Sequence, residues 1–220
     1  MKDLHARQAA SLLRKMVAEG EHETQDFKFT VNDPRKIARS ISAFANNSGG
    51  HLLIGVDDNG NLKGVRSEED IYVVESAASI YCKPECEIEF TALKNTGGGI
   101  IIKARVEPAL NKPIYVKEEG NKLRAYYRVA DENIAAHPLM VKYWKYSGSV
   151  DDAIVFGADS SRTSLLDLLS GGPLDIESIF LRVPMSKVKA ESTMLELLSM
   201  KLIEFEYINR RFCLKLKTDL

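Results

Sequence analysis

Residues 33–64 read DPRKIARSISAFANNSGGHLLIGVDDNGNLKG, and they predict a helix, a turn, a strand and a hairpin in that order. Asp33 is suited to the helix N-cap and Pro34 to the first helical position, where its missing N–H costs nothing. Ile37, Ile41 and Phe44 recur at helical spacing and predict one apolar face. The NNSGG run then ends the helix, LLIGV indicates a short buried strand, and DDNG is typical of a hairpin turn.

Helical and extended patterns also alternate on both sides of this stretch. Upstream, residues 5–18 favour a helix, and residues 21–31 alternate as a half-buried strand does. Downstream, the patterns predict a helix at 67–82, strands at 87–93, 99–106, near 115 and at 123–129, and a helix from 134. We therefore predict an α+β domain with a mixed or antiparallel sheet and flanking helices.

Three short motifs stand out between residues 11 and 135. The first is Glu21 followed by Asp26-Phe27-Lys28, the second is AFANNSGG with IGVDD, and the third is YYRVADEN at 126–133. Together they resemble the signature of the Schlafen AlbA-like domain family, which has been labelled a divergent AAA and DNA-binding domain. The resemblance implies nucleic-acid binding. Asp26 departs from the family pattern, in which Glu is commoner, so a carboxylate site built there would be slightly recessed.

The resemblance also implies an alternative activity, because eukaryotic Schlafen nucleases use carboxylates at matching positions. Here those positions are Glu21, Asp26 and, counting from the I-G pair, Asp58 rather than Asp57. Clustered carboxylates hold Mg²⁺ or Mn²⁺, which activates water and neutralises charge on a scissile phosphate. Lys28 would steady that phosphate. The competing interpretation is that these acids lie on the surface and that the aspartates only shape a hairpin.

Binding without cleavage needs no cofactor and would use a cationic groove on the same domain. Such a groove contacts phosphates, and exposed tyrosines stack on bases. The tyrosines at 115, 126 and 127 are equally well explained as strand core residues. The predicted nucleic-acid contacts of this domain are Lys28, Arg35, Lys36, Arg39, Asn46, Lys112, Arg124 and Arg128.

Overall composition limits the remaining function classes. The net charge is −1, so nucleic-acid affinity has to come from local patches. The sequence contains no GxxxxGK[ST] motif, which argues against an ATPase. The three cysteines have no histidine near them, which argues against zinc and favours reduced thiols. No apolar run reaches the length of a membrane span, so we expect no membrane contact and a cytoplasmic location.

The second part of the chain follows a different pattern. We predict a first domain at 1–146, a linker at 147–160 and a second domain at 161–220. Three helices followed by a two-stranded hairpin resemble the small winged-helix modules often attached to Schlafen-like domains. In such a module the third helix enters the major groove and the wing touches the backbone. The candidate contacts are Lys187 and Lys189 on the helix and Arg210 and Arg211 on the wing.

These observations lead to one favoured function and two alternatives. We predict a bacterial, intracellular nucleic-acid-binding protein that acts as a transcriptional regulator, with DNA favoured over RNA. Two-fold symmetric DNA sites favour a homodimer. The alternatives are a metal-dependent nuclease and, because the net charge is so close to zero, a protein-interaction adaptor.

Overall fold

The computed structural model describes residues 7–65, 67, 69–147 and 159–218, and the chain divides into two compact units, Met1–Ala136 and His137–Leu220. The predicted linker at 147–160 lies almost entirely outside the described residues. The predicted domain boundary at 146 differs from this division. Helix α4 (Pro138–Ser147) belongs to the second unit because Leu139 lies in the core of that unit and the Tyr143 ring lies 6.1 Å from Phe205.

Among its described residues, the first unit contains three α-helices and nine strands. The helices are α1 (Ala10–Glu19), α2 (Pro34–Asn46) and α3 (Glu69–Ser76), the last of which continues into a π-helical turn. The strands are β1 (Arg7–Gln8), β2 (Gln25–Lys28), β3 (Gly50–Ile54), β4 (Cys82–Lys83), β5 (Ile88–Lys94), β6 (Ile100–Val106), β7 (Tyr115–Lys117), β8 (Leu123–Val129) and β9 (Glu132–Ala135).

Five of these strands form a mixed sheet in the order β1-β5-β6-β3-β2. The outer pairs, β1 with β5 and β2 with β3, are parallel, whereas β6 runs antiparallel to both of its neighbours. Leu53 packs with Leu13 and Met16 of α1, and its neighbours on the strand pack with α2 on the opposite face. This explains the unbroken apolar run in β3, since a sheet covered on both faces needs apolar residues on both.

The other four strands form an antiparallel sheet in the order β4-β7-β8-β9. Strand β9 replaces the start of the helix that we predicted from residue 134, and the helix begins only at Pro138. The reason is a tight turn at Ala130, where φ is 51°, which folds Glu132–Ala135 back onto Tyr126–Val129. The mixed α+β class predicted from the sequence is confirmed by these two sheets and their helices.

Helix α2 is the central element of the first unit. The Asp33 carboxylate caps it by accepting from the backbone N–H groups of Arg35 and Lys36, as the sequence predicts. Residues of α2 share one core with the mixed sheet and with strands β7 and β8. Consequently, the helix is buried along most of its length from Ile37 onward, and few of its side chains face solvent.

Within residues 137–147 and 159–218, the second unit contains four helices and a three-stranded antiparallel sheet. After α4 come α5 (Ser160–Leu169), β10 (Leu174–Asp175), α6 (Ile176–Arg182), α7 (Lys187–Ser199), β11 (Ile203–Ile208) and β12 (Arg211–Leu216). The sheet order is β10-β12-β11. The sequence analysis predicted three of these helices and the hairpin but missed β10, which has only two residues. The winged-helix assignment stays a prediction. In the part of the chain that the structure describes, no helix is long and apolar enough to cross a membrane.

Candidate functional site

The first candidate site contains the predicted carboxylates Glu21 and Asp26. Asp26 lies on β2 and is 3% exposed. Its Oδ1 atom lies 2.8 Å from Lys28 Nζ and 3.6 Å from Arg128 Nη2, and its Oδ2 atom accepts a 3.0 Å hydrogen bond from Ser40. Both oxygens of this carboxylate are therefore already engaged by groups of the same unit.

Glu21 lies beside Asp26, and the two carboxyl groups have opposite pKa shifts. Burial and the hydrogen bond with Asp26 raise the pKa of Glu21. Burial also acts to raise the pKa of Asp26, but the charge of Lys28 and hydrogen bonds from Glu21 and Lys28 outweigh it and lower that pKa. The Glu21 Oε1 atom also accepts a 2.7 Å hydrogen bond from the Phe27 N–H.

The third predicted carboxylate, Asp58, does not join this pair. It lies on the exposed turn after β3, where its neighbour Asp57 accepts hydrogen bonds from the backbone N–H groups of Asn59 and Asn61. Across residues 7–147 and 159–218, apart from 66 and 68, no three His, Cys, Asp or Glu side chains are placed to hold a metal ion. Since Asp26 is also neutralised by two cations, the residues present do not fit the Mg²⁺ or Mn²⁺ site that the resemblance implies.

Arg128 is a correction to the predicted cationic groove. Its side chain is 1% exposed and lies inside the unit. It donates to the carbonyl groups of His22 and Gln25 and to Asn133 Oδ1, and its guanidinium lies 5.3 Å from the Phe44 ring centre. This arginine ties β8 to the β2 segment, so it cannot contact a nucleic acid in this structure.

Asn46 is a second correction, and it explains the most specific motif of the sequence. The side chain is 2% exposed, donates to the carbonyl groups of Ile114 and Tyr126, and accepts from the Ile114 N–H. It therefore joins the end of α2 to the antiparallel sheet. Gly49 follows with φ of 78°, and a Cβ there would lie 2.8 Å from the Val106 carbonyl oxygen. The AFANNSGG motif therefore serves to pack the end of α2 closely against the neighbouring strands.

Four of the predicted cations of the first unit lie on α2 and β8, two elements that pack against each other, whereas Lys28 pairs with Asp26. Arg35, Lys36 and Arg39 extend from α2, and Arg124 is exposed on β8. The turn before β8 links them, because both Arg39 and Arg124 lower the pKa of Glu118 and Arg35 lies 3.6 Å from Glu119. We call this surface the α2–β8 basic face, and it comprises Arg35, Lys36, Arg39, Lys122 and Arg124.

One member of the basic face was missed by sequence reasoning. Lys122 is exposed at the end of the turn after β7, whereas Lys117 is in register with Leu123 and lies on the face of the sheet opposite to Arg124. The signal that could have found Lys122 is its position at the end of the predicted turn, two residues before Arg124. Lys112, by contrast, is half-buried and donates to the Asn47 carbonyl group at 2.8 Å.

Arg39 forms a two-pronged ion pair on the basic face. Its Nε and Nη2 atoms donate to the two carboxylate oxygens of Glu118 at 2.8 and 2.7 Å. The Tyr126 hydroxyl donates to the same carboxylate, and Arg39 lies 5.7 Å from the Tyr126 ring centre. The hydrogen bond with Arg39 lowers the pKa of Glu118 despite partial burial. One helical turn earlier, Arg35 lies 3.6 Å from Glu119.

The predicted contacts of the second unit are all exposed. Lys189, in the first turn of α7, pairs with Asp159 at 2.8 Å, and the Lys187 Nζ atom lies 4.7 Å from the Phe180 ring centre. Arg210 and Arg211 lie at the tip of the β11–β12 hairpin. The structure thus leaves all four cations on the surface of this unit.

Residues 21–137 match the model of the family described as Schlafen, AlbA_2. No curated protein matches the chain. Among solved structures, the DIP2311 protein of Corynebacterium diphtheriae is similar at 17% identity and a TM-score of 0.44, covering 78% of this chain and 34% of that one. The N-terminal domain of a RecG-related protein from Nitrosomonas europaea is similar at 23% identity and a TM-score of 0.41, covering 69% and 95%.

This chain spans about a third of the length of the DIP2311 protein. The family match extends from the Glu21 motif past the YYRVADEN motif and covers more than half of the residues. The chain therefore belongs to the Schlafen, AlbA_2 family.

Proposed function

We propose that this protein binds DNA through the α2–β8 basic face. The observation that carries the proposal is that five cations lie on one helix and one hairpin that pack together. Lys36, Lys122 and Arg124 are exposed and form no ion pair with the described residues. Phosphate contacts by such side chains position a protein on a duplex and supply most of its affinity.

The second unit is proposed to act as a winged helix on the same DNA. Its α7 would enter the major groove, and the β11–β12 hairpin would contact the backbone. The exposed positions of Lys187, Arg210 and Arg211 support this role. Lys189 would have to leave Asp159 in order to contact a phosphate.

Transcriptional regulation is the wider role that we propose, carried out in the cytoplasm by a homodimer on a two-fold symmetric site. Two modules with separate cationic surfaces suit recognition of an extended DNA site, and two-fold sites are read by dimers.

A salt series with a short labelled DNA duplex tests the proposal by fluorescence anisotropy. Reversal of an exposed cation, Lys36→Glu or Arg124→Glu, should weaken binding and reduce the slope of log K against log salt by about one per lost phosphate contact. Lys15→Glu is the matched control because Lys15 is exposed on α1. Loss of binding only in the first two variants supports the proposal, and an equal effect of all three contradicts it.

Two other results would replace this function with another. Tighter binding of a single-stranded RNA of equal length would change the partner from DNA to RNA. Absence of binding to both at low salt would favour the protein-interaction adaptor. One observation already favours that second candidate, namely that Leu181 and Val188 of the second unit are 87% and 81% exposed close to Lys187.

A further inference from the structure

We infer that Glu118 occupies, in the free protein, the place on Arg39 that a DNA phosphate takes in the complex. This inference rests on the proposed function and deepens it, because it assigns a regulator of affinity to the same surface. The carboxylate engages both Nε and Nη2 of Arg39, at 2.8 and 2.7 Å. Carboxylates and phosphates are bound by the arginine fork in the same two-pronged geometry, so one can substitute for the other.

The contact lies at a partly open surface. The Arg39 side chain is 39% exposed, so a phosphate can approach the guanidinium from solvent. Glu118 is the less exposed partner, at 13%, and it also accepts a hydrogen bond from the Tyr126 hydroxyl, so it is a firmly held competitor. Displacement of Glu118 by a phosphate exchanges one two-pronged, charge-assisted pair for another. It also releases a counterion from the DNA, which favours binding.

A second acid on the same turn repeats the arrangement. Glu119 follows Glu118 and lies 3.6 Å from Arg35, which precedes Arg39 by one helical turn. Side chains at such spacing point the same way along a helix. Two neighbouring carboxylates thus cover two neighbouring arginines, and both acids belong to one short turn that contains Gly120 at φ of 67°. Because glycine accepts that conformation without strain, it is suited to let the turn reorient.

The alternative role for Glu118 is to orient Arg39 for binding. The two roles predict opposite changes in DNA affinity when Glu118 is replaced. If Glu118 competes with phosphate, Glu118→Gln frees the guanidinium and tightens binding. If Glu118 orients the arginine, the same change weakens binding. The Tyr126 hydroxyl offers an independent test because it also holds the carboxylate. Tyr126→Phe keeps the ring beneath Arg39 and loosens Glu118, so it should also tighten binding.

The experiment compares anisotropy titrations of the labelled duplex at low salt for the wild type, Glu118→Gln, Tyr126→Phe and Glu107→Gln. Glu107 is the matched control, since it pairs with Arg105 at 2.7 Å and both side chains are exposed. We expect Glu118→Gln to bind about threefold or more tightly, with a salt slope steeper by about one, and Glu107→Gln to bind as the wild type does. Thermal unfolding checks that each variant is folded.

The outcomes separate this inference from the proposed function. Tighter binding by Glu118→Gln and Tyr126→Phe supports both. Measurable wild-type binding that is unchanged or weakened in Glu118→Gln overturns the inference and leaves the proposed function standing. Absence of DNA binding by every folded variant overturns the proposed function, and the inference with it.

Discussion

Arg128 and Asp26 form a buried ion pair at 3.6 Å between two strands that belong to different sheets of the first unit. The sequence predicts Arg128 as a phosphate contact and Asp26 as a catalytic acid. Their pairing instead makes them part of the scaffold that positions the α2–β8 basic face.

Arg128→Met should strongly destabilise the protein. The change removes the hydrogen bonds from the buried guanidinium to the His22 and Gln25 carbonyl groups and to Asn133 Oδ1, at a cost of about 3 kcal/mol or more, although Lys28 still compensates Asp26. Arg124→Met on the same strand is the control, because Arg124 is exposed and its loss should change the free energy of unfolding by less than about 0.5 kcal/mol. Urea unfolding measures the loss in the free energy of unfolding for both variants. Equal losses would mean that the buried contacts of Arg128 do not stabilise the protein.

The stability of the protein should fall as the pH drops from 6.5 toward 4. Burial, followed by the charges of Lys103 and His22, lowers the pKa of His51 to about 4 from the ordinary 6.5. The folded state therefore prefers the neutral ring. The stabilisation that this preference gives is fully present above pH 6.5, the pKa of an ordinary histidine, and is lost as the pH falls toward the pKa of His51 in the folded protein. We expect His51→Gln to flatten this part of the curve of unfolding free energy against pH. An unchanged difference between the two proteins from pH 7 to pH 4 would contradict the assignment.

Gly49→Ala should cost more than Gly98→Ala. Both residues have positive φ, at 78° and 83°, so an alanine is strained at either position. At Gly98 a Cβ meets nothing within 4 Å, whereas at Gly49 it would lie 2.8 Å from the Val106 oxygen. Chemical unfolding should give a loss of about 1 kcal/mol for Gly98→Ala and a larger one for Gly49→Ala. A smaller loss at Gly49 would show that the backbone moves aside.

Mg²⁺ or Mn²⁺ should leave the melting temperature unchanged. A ligand that binds only the folded state raises that temperature, and the Asp26 carboxylate is already engaged by Lys28, Ser40 and Arg128. The measurement is thermal unfolding with millimolar metal and again with a chelator. A metal-dependent rise that is absent in Asp26→Asn would restore the nuclease alternative.

Local patterns were sufficient to predict α2, its Asp33 cap and the strand that follows it. These features depend on residues within a few positions of one another, such as the Asp33 carboxylate and the N–H groups of Arg35 and Lys36. Motif resemblance was sufficient for the family. Strand β9 was mistaken for the start of a helix because its pairing depends on a turn conformation at Ala130 that the residue type does not reveal.

By itself, then, the sequence determined most of the helices and longer strands, the α+β class and the family. Only the tertiary structure decided which charges are buried and which face solvent. Arg128 and Arg124 lie on one strand and look alike in the sequence, yet Arg128 reaches the His22 carbonyl group, 106 residues away, while Arg124 is exposed. The physical reason is that the environment of a charge is set by the segments packed around it, and those segments are distant in the chain.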